Sequence, residues 1–273
     1  ALAAALKASA QELTTPLHLA LSYDEEIGCV GIKKMIDKLE PSIGLPRACF
    51  VGEPTEMQVA VGHKGKAALR ATCRGQAGHS ALAPSFTNAL HLAADFVQEL
   101  KAMQQDLAQD GARDMAYGVP YSTIHVGKLS GGTALNIVPD TAELIFEYRH
   151  LVADRPEDLE ATINAAAERV ASAYRPDFAR AEIEVEKYNA YPGLDVSKDA
   201  EIVGIAQRLA QSNEITKVSF GTEAGYFDAL GVPTVVCGPG SMEGQGHKVD
   251  EYLELSQLNA CDDMMDRVLE EIT

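Results

Sequence analysis

The stretch "PLHLALSYDEEIG" at residues 16–28 contains the features that decide the fold class. Its first half alternates leucine with other residues, and this alternation is typical of a half-buried β-strand. Its second half places three carboxylates, Asp24, Glu25 and Glu26, in a row. Neighbouring negative charges repel one another and are costly to bury in an apolar core. The stretch therefore predicts a strand that ends either in a solvated turn or in a site for something strongly positive.

Helix and strand patterns alternate on both sides of this acidic stretch. Apolar strands separated by helices predict a mostly parallel sheet that is covered on both faces. Such sheets place their ligands at the carboxyl ends of the strands, where Glu25, Glu26 and Glu53 are expected. The patterns lie at residues 1–13 (helix), 17–23 (strand), 28–39 (helix) and 48–53 (strand).

A different pattern begins near residue 62. Strand, helix, two strands, helix and strand follow one another up to residue 189, an order that predicts an α+β split-βαβ (ferredoxin-like) domain. The α/β pattern then returns in the last part of the chain. The predicted architecture is therefore one α/β domain, made of residues 1–61 and 190–273, that is interrupted by an inserted domain of residues 62–189.

The composition restricts the partners. The chain has 273 residues, with 23 basic and 40 acidic side chains and a net charge of −17 at pH 7. This balance argues against nucleic acid and anionic membranes as partners and favours metal ions or cationic small molecules. The five cysteines include no CxxC pair, which predicts reduced thiols in a cytoplasmic protein. Neither a membrane span nor a signal peptide is expected.

Carboxylates and one histidine form the candidate metal site. Glu25 and Glu26 follow the first strand, Glu53 follows the next, and His247 lies beyond the "CGPG" turn. Carboxylate oxygens together with one imidazole suit Zn²⁺, Co²⁺ or Mn²⁺. Adjacent strand residues point to opposite sides, so one of Glu25 and Glu26 can bind metal while the other faces the substrate as a general base. The alternative is that each is a surface acid or a structural histidine.

Six motifs in order strengthen the metal hypothesis, because together they resemble the M20 family of di-zinc amidohydrolases and peptidases. The resemblance implies a catalytic metal-binding domain, a lid and dimerisation domain at residues 62–189, and a homodimer. It also implies two Zn²⁺ ions in the complete enzyme, with Co²⁺ as a possible substitute, and hydrolysis of the amide of an N-acyl amino acid. The motifs are "SYDEEIG", "VGEPT", "GQAGHSALAP", "GGTALNIVPD", "FGTEAGYF" and "CGPGSMEGQGHKVDEYL".

The resemblance also implies a role for each matching residue of the metal-binding domain. Glu25 becomes the general base, while Glu26, Glu53 and His247 become metal ligands. The family has a His-x-Asp motif and a bridging aspartate before the acidic motif, whereas only 23 residues precede Asp24 here and none of them is an aspartate. We therefore expect this domain to be N-terminally incomplete and to hold half of a two-metal site.

In the lid domain, the resemblance makes His79 the histidine that reaches across the dimer and helps to hold the oxyanion. Asn136 and Arg149 match positions that contact the substrate carboxylate and the oxyanion region. The acid excess and the C-terminal motifs favour N2-acetyl-L-ornithine over N-succinyl-diaminopimelate as the substrate.

Other possibilities stay open at the level of sequence. One is a metal-free binding module on the same fold, and another is a cysteine hydrolase that uses Cys237 with His247. Glu223 and Gly225, in "GTEAG", match a family motif near the substrate. They are equally compatible with a helix-capping acid and a turn-forming glycine.

Overall fold

The computed structural model describes residues 2–244, 246 and 248–273, and its chain divides into two compact units. The first unit comprises Ala1–Lys64 and Tyr191–Thr273, and the second comprises Gly65–Ala190. Among the described residues, no helix combines the length and the apolar character needed to cross a membrane.

The first unit is built from a sheet and the helices that pack against it. Its helices are α1 (Leu2–Ala8), α2 (Ile32–Ile43), α5 (Glu201–Ala210), α6 (Ala224–Ala229) and α7 (Leu255–Ile272). Its strands are β1 (Cys49–Val51), β2 (Val59–His63), β9 (Leu194–Asp195), β10 (Ile215–Val218) and β11 (Thr234–Val236).

The sheet of the first unit is mixed rather than mostly parallel as predicted, because its described strands form two antiparallel as well as two parallel pairs. In the described part of the chain its order is β1-β11-β2-β10, with β9 paired to β2 as well. The pairs β1–β11 and β10–β2 are parallel, whereas β11–β2 and β2–β9 are antiparallel. Strand β2 is buried along its whole length, because it lies in the middle of the sheet and is covered by neighbouring elements. Buried side chains from β2, α5 and β11 form one of the apolar clusters that hold this unit together.

The prediction of a strand at residues 17–23 is wrong, because this segment is not part of any sheet. Three of its leucines, Leu17, Leu19 and Leu21, are 37%, 43% and 76% exposed. Alternation of apolar side chains shows only that a segment could fit a sheet, whereas a strand forms where a neighbour takes up its backbone hydrogen bonds. The acidic residues that follow therefore lie after an irregular segment rather than at the end of a strand.

The second unit has the predicted β-α-β-β-α-β order. Its main elements are β3 (Gly65–Arg74), α3 (Ala89–Asp110), β5 (Thr123–Gly131), β7 (Thr141–His150), α4 (Pro156–Tyr174) and β8 (Glu182–Tyr191). Its shorter elements are β4 (Gly78–His79), a 3₁₀ helix (Ser80–Ser85) and β6 (Ile137–Val138).

The four long strands form one sheet in the order β5-β7-β3-β8, which is the order of a ferredoxin-like sheet. Strands β3 and β7 pair antiparallel over ten residues each, and alternate side chains of β7 are buried against the helices. Helix α3 begins where the Asn88 side chain accepts a hydrogen bond from the Leu90 amide at 2.8 Å. Such a cap satisfies an amide that has no partner within the helix. The rings of Phe96 and Phe146 pack edge to face in the core between helix and sheet, with their centroids 5.9 Å apart.

Candidate active site

Glu53 is fixed at the edge of the first sheet where β1 and β11 end together. The Thr55 and Met57 amides donate hydrogen bonds to the carbonyl of Gly238 at 3.2 and 3.0 Å. A side chain at Gly238 would place its Cβ 2.6 Å from the Glu53 carbonyl oxygen, so the close approach of the two loops requires a glycine there. The "VGEPT" and "CGPG" motifs therefore pack against each other.

The carboxylate of Glu53 lies in a negative environment. Burial, followed by the charges of Glu25, Glu26 and Glu223, raises its pKa to about 7. Desolvation and like charges both disfavour an ionised carboxylate, so these four groups share a region that favours a cation. The charges of Glu25 and Glu26, which were expected at the same site as Glu53, therefore act on the Glu53 carboxylate. The charge of Glu223 acts on it as well.

Glu25 and Glu26 lie in a tight turn that precedes α2. The amides of Gly28 and Cys29 both donate to the Glu25 carbonyl at 2.8 Å, and Asp24 adopts a left-handed φ of 55°. The Cys29 Sγ atom lies 3.5 Å from Glu25 Oε1. Because burial and the Glu25 charge raise the pKa of Cys29, its thiol stays protonated and donates to the Glu25 carboxylate.

The donor chemistry of this region fits a divalent cation in part. Glu26 and Glu53 offer carboxylate oxygens, and burial together with the neighbouring negative charges raises the pKa of Glu53. Within residues 2–244, 246 and 248–273, no group of three or more His, Cys, Asp or Glu side chains is arranged to hold a metal ion. His247, the third predicted ligand, lies outside the described residues. The metal-binding roles of all three stay predictions.

The second unit brings His79 and Asn136 together. Strands β4 and β6 pair His79 with Ile137, and the Ser80 amide donates to the Asn136 carbonyl at 3.0 Å. The Ala81 amide donates to His79 Nδ1 at 3.1 Å. A neutral His79 ring that accepts at Nδ1 carries its proton on Nε2 and can donate there. His79 is exposed, so this donor can reach a bound molecule.

Arg149 lies on a different sheet of the same unit, on the face of β7 that points away from the helices. Its Nε atom donates to Glu147 Oε1 at 3.0 Å, and Lys66 reaches the other oxygen of Glu147 at 2.6 Å. Burial acts to raise the pKa of Glu147, but the hydrogen bonds from Lys66 and Arg149 outweigh it, and the pKa lies below its usual value. Glu147 thus orients the Arg149 guanidinium across the sheet.

Cys237 does not have the properties of a nucleophile. Only 5% of it is exposed, and burial raises the pKa of its thiol to about 11. Nucleophilic cysteines have lowered pKa values and partial exposure. The structure therefore gives no support to the cysteine-hydrolase alternative.

Two side-chain contacts of the acidic region could not be predicted from the sequence. The Ser22 hydroxyl donates to Glu223 Oε2 at 2.6 Å, and the Cys29 thiol contacts Glu25. Glu223 makes no side-chain hydrogen bond to the start of its own helix α6, so the helix-capping interpretation is wrong. The only sequence signal for the first contact is the presence of both residues in motifs, since 201 positions separate them.

The sequence and the fold of the chain are similar to those of known proteins. A family model described as a peptidase dimerisation domain matches residues 61–175. Acetylornithine deacetylase from Myxococcus xanthus is 30% identical over 261 residues, which cover 96% of this chain and 66% of that protein. The aminopeptidase PepT from Bacillus cereus superimposes with a TM-score of 0.71 at 23% identity, over 92% of this chain and 62% of that one. The di-peptidase Dug1p from Saccharomyces cerevisiae superimposes with a TM-score of 0.69 at 14% identity, over 97% of this chain and 67% of that one.

These matches define the class of protein: the chain belongs to the M20 peptidase family. Within this family it is similar to acetylornithine deacetylases, including those of Myxococcus xanthus and Pectobacterium carotovorum. The chain spans about two thirds of the length of these curated relatives, 66% and 64%. The resemblance seen in the six motifs and the predicted fold class are thereby confirmed.

The pKa of Glu53 predicts how stability depends on pH in metal-free protein. The folded state binds a proton more tightly, with a pKa of about 7, than an ordinary glutamate with a value of 4.5. The Glu53 contribution to stability therefore falls as the pH rises between these values and is constant above them. In chelator-treated protein, Glu53→Gln should gain on the order of 1–3 kcal/mol over the wild type between about pH 5 and about pH 8.

Urea unfolding at several pH values measures this difference. Glu56→Gln, which removes an exposed glutamate from the same loop, is the matched control and should follow the wild type. A constant difference between Glu53→Gln and the wild type at all pH values would show that Glu53 does not lie in a negative, desolvated environment.

Proposed function

We propose that the protein is a cytoplasmic, metal-dependent amidohydrolase that cleaves N2-acetyl-L-ornithine to L-ornithine and acetate, a reaction of arginine biosynthesis. The observation that carries the proposal is the group of carboxylates around Glu53 in a chain of the M20 family. The similarity to acetylornithine deacetylases supports the choice of the acyl amino acid. The net charge of −17 favours the cationic side chain of that substrate.

Zn²⁺ is the proposed cofactor, with two ions in the complete enzyme and Co²⁺ as a substitute. Glu26, Glu53 and His247 are the residues of this chain that would hold it. When bound, such ions supply a water of lowered pKa and polarise the carbonyl of the scissile amide.

The protein side chains would move protons and orient the substrate. Glu25 would take a proton from the attacking water and pass it to the leaving amine. The protonated Cys29 thiol would hold the Glu25 carboxylate through its contact at 3.5 Å. In the lid, the Nε2 proton of His79 would be donated to the oxyanion, as in other preorganised oxyanion sites.

Substrate recognition would fall to the second unit. Arg149, oriented by Glu147, would pair with the substrate carboxylate, and Asn136 would add a polar contact beside His79.

The separate roles of Glu25 and Glu26 can be tested in the product of the whole reading frame that encodes the chain. Glu25→Gln should lower kcat by roughly 10²–10⁴-fold, the usual contribution of a general base, and leave bound Zn²⁺ unchanged. Glu26→Gln should weaken Zn²⁺ binding by at least roughly 10–100-fold. This is the usual loss of affinity when a hydrogen-bond partner of a metal ligand is removed, and removal of a ligand itself should cost no less. Kinetics and metal analysis of the same preparations provide the measurements, and equal metal loss in both variants would refute the assignment.

The substrate can be tested by competition. We expect a higher kcat/KM for N2-acetyl-L-ornithine than for N-succinyl-diaminopimelate, because the acidic protein favours a substrate with one free cationic amine and no added carboxylate. A mixture of both substrates, followed by product analysis, gives the ratio directly. A preference for the succinylated compound would assign the protein to the desuccinylases of the family instead.

We also propose a homodimer that forms through the second unit, where the dimerisation-domain model matches. Leu82, Leu135 and Ile137 surround the His79 loop and are 60%, 102% and 43% exposed. Exposed apolar side chains that lie close together are typical of interaction surfaces.

The dimer can be tested by sedimentation equilibrium. The wild type should have twice the mass of one chain, and Leu135→Glu should shift the protein towards the single-chain mass because it places a charge in the apolar surface. Met115→Glu, at a residue of the same unit that is 81% exposed, is the matched control and should keep the wild-type mass. A single-chain mass for the wild type would refute the dimer, and an unchanged mass for Leu135→Glu would exclude this surface.

A further inference from the structure

The acidic turn, defined here as residues 24–26, follows a segment that belongs to no sheet. The turn is closed by backbone hydrogen bonds to the Glu25 and Asp24 carbonyls. Side-chain contacts just before the turn connect it to other parts of the first unit.

One of these contacts is the hydrogen bond from the Ser22 hydroxyl to Glu223 Oε2, at 2.6 Å. A hydroxyl that donates to a carboxylate at this distance forms one of the stronger hydrogen bonds in proteins. Glu223 uses neither carboxylate oxygen to cap α6, and Thr222 Oγ1 accepts from the Ala224 amide instead. The Glu223 carboxylate is therefore committed to a partner that is distant in sequence.

The other side of the segment packs against the start of α2. A Cβ atom at Gly31 would lie 1.9 Å from the Tyr23 carbonyl oxygen, so the backbone of Tyr23 rests directly on this glycine. The Lys34 Nζ atom lies 5.6 Å from the centre of the Tyr23 ring. Ser22 and Tyr23 are thus held from two sides immediately before the acidic turn.

We propose that Glu223 is a positioning residue that acts through Ser22 and sets where the Glu25 and Glu26 carboxylates stand. The hydrogen bond to Glu223 fixes Ser22, and the close contact with Gly31 fixes the backbone of Tyr23. These two contacts together set the direction of the acidic turn that follows. The consequence for metal binding and hydrolysis rests on the proposed function, whereas the ordering of the turn does not.

Hydrogen exchange tests the ordering in metal-free protein. The amides of Gly28, Cys29 and Val30 close the turn through hydrogen bonds to the Glu25 and Asp24 carbonyls. Ser22→Ala and Glu223→Ala should each speed the exchange of these amides. Ser22→Thr keeps the hydroxyl and Glu223→Gln keeps an acceptor oxygen, so both should retain wild-type exchange.

Ser9→Ala is the matched control for exchange, because the exposed Ser9 hydroxyl donates to the Leu6 carbonyl, far from the acidic turn in sequence. Unchanged exchange of the three turn amides in Ser22→Ala would overturn the proposal, and since this variant removes one oxygen atom it should fold normally.

Co²⁺ titration, followed by the visible absorption of the bound ion, tests the effect on metal binding. Ser22→Ala should weaken Co²⁺ binding by about 10–100-fold, and Glu223→Ala should weaken it by at least as much, because it also removes a negative charge that acts on Glu53. Adding Ser22→Ala to Glu223→Ala should cause no further loss, because both changes break the same contact. Ser22→Thr should restore the affinity. A metal-binding loss in Glu223→Gln but not in Ser22→Ala would show that Glu223 acts directly on the ion and would overturn the proposal.

The two readouts separate this inference from the proposed function. If the wild type binds no Co²⁺ and hydrolyses no N-acyl amino acid, the proposed function fails. The exchange experiment still decides whether Glu223 orders the acidic turn.

Discussion

Repulsion among carboxylates is the constraint on which the first unit depends. Glu25, Glu26 and Glu223 raise the pKa of Glu53, whose own burial raises it further. Such an arrangement opposes folding at neutral pH unless a cation lies among the charges. A chain selected for stability alone would place a neutral side chain at Glu53, so the cost points to function.

Close backbone contacts determine where these charges stand. Gly238 allows the loop after β11 to lie against Glu53, and Gly31 allows the start of α2 to lie against Tyr23. In both places the Cβ of any other residue would lie too close to a backbone carbonyl oxygen, at 2.6 Å for Gly238 and 1.9 Å for Gly31, and would force the backbones apart. The charged residues of the motifs carry the chemistry, while the glycines of the same region set the distances at which that chemistry can occur.

The second unit could be predicted from its sequence in more detail than the first. Its strands and helices are long, and each has a clear period, so local pattern and final structure agree. Residues 17–23 show the limit of this approach, because their alternation satisfies the requirement for burial but not the requirement for a hydrogen-bonding neighbour. Strands β4 and β6, with two residues each, are too short to leave a pattern, although they bring His79 and Asn136 together.

The candidate site shows a similar division. Glu25, Glu26 and Glu53 could be singled out because carboxylates after apolar segments are conspicuous, and the charges of Glu25 and Glu26 raise the pKa of Glu53 in the structure. The bond between Ser22 and Glu223 could not be predicted, since it joins two residues whose side chains are ordinary in their own segments. Long-range pairing of this kind depends on the fold as a whole and has no local signature.

The discontinuity of the first unit has a consequence for synthesis on the ribosome. Strand β2 lies in the middle of its sheet, yet its neighbours β9, β10 and β11 all belong to the segment that follows the second unit. At typical rates of translation, on the order of ten seconds pass between the synthesis of β2 and that of its partners. The second unit, which is continuous in sequence, can fold during that time. During this time the apolar residues of β2 have none of these partner strands. The early part of the chain therefore needs protection from aggregation while the later part is being synthesised.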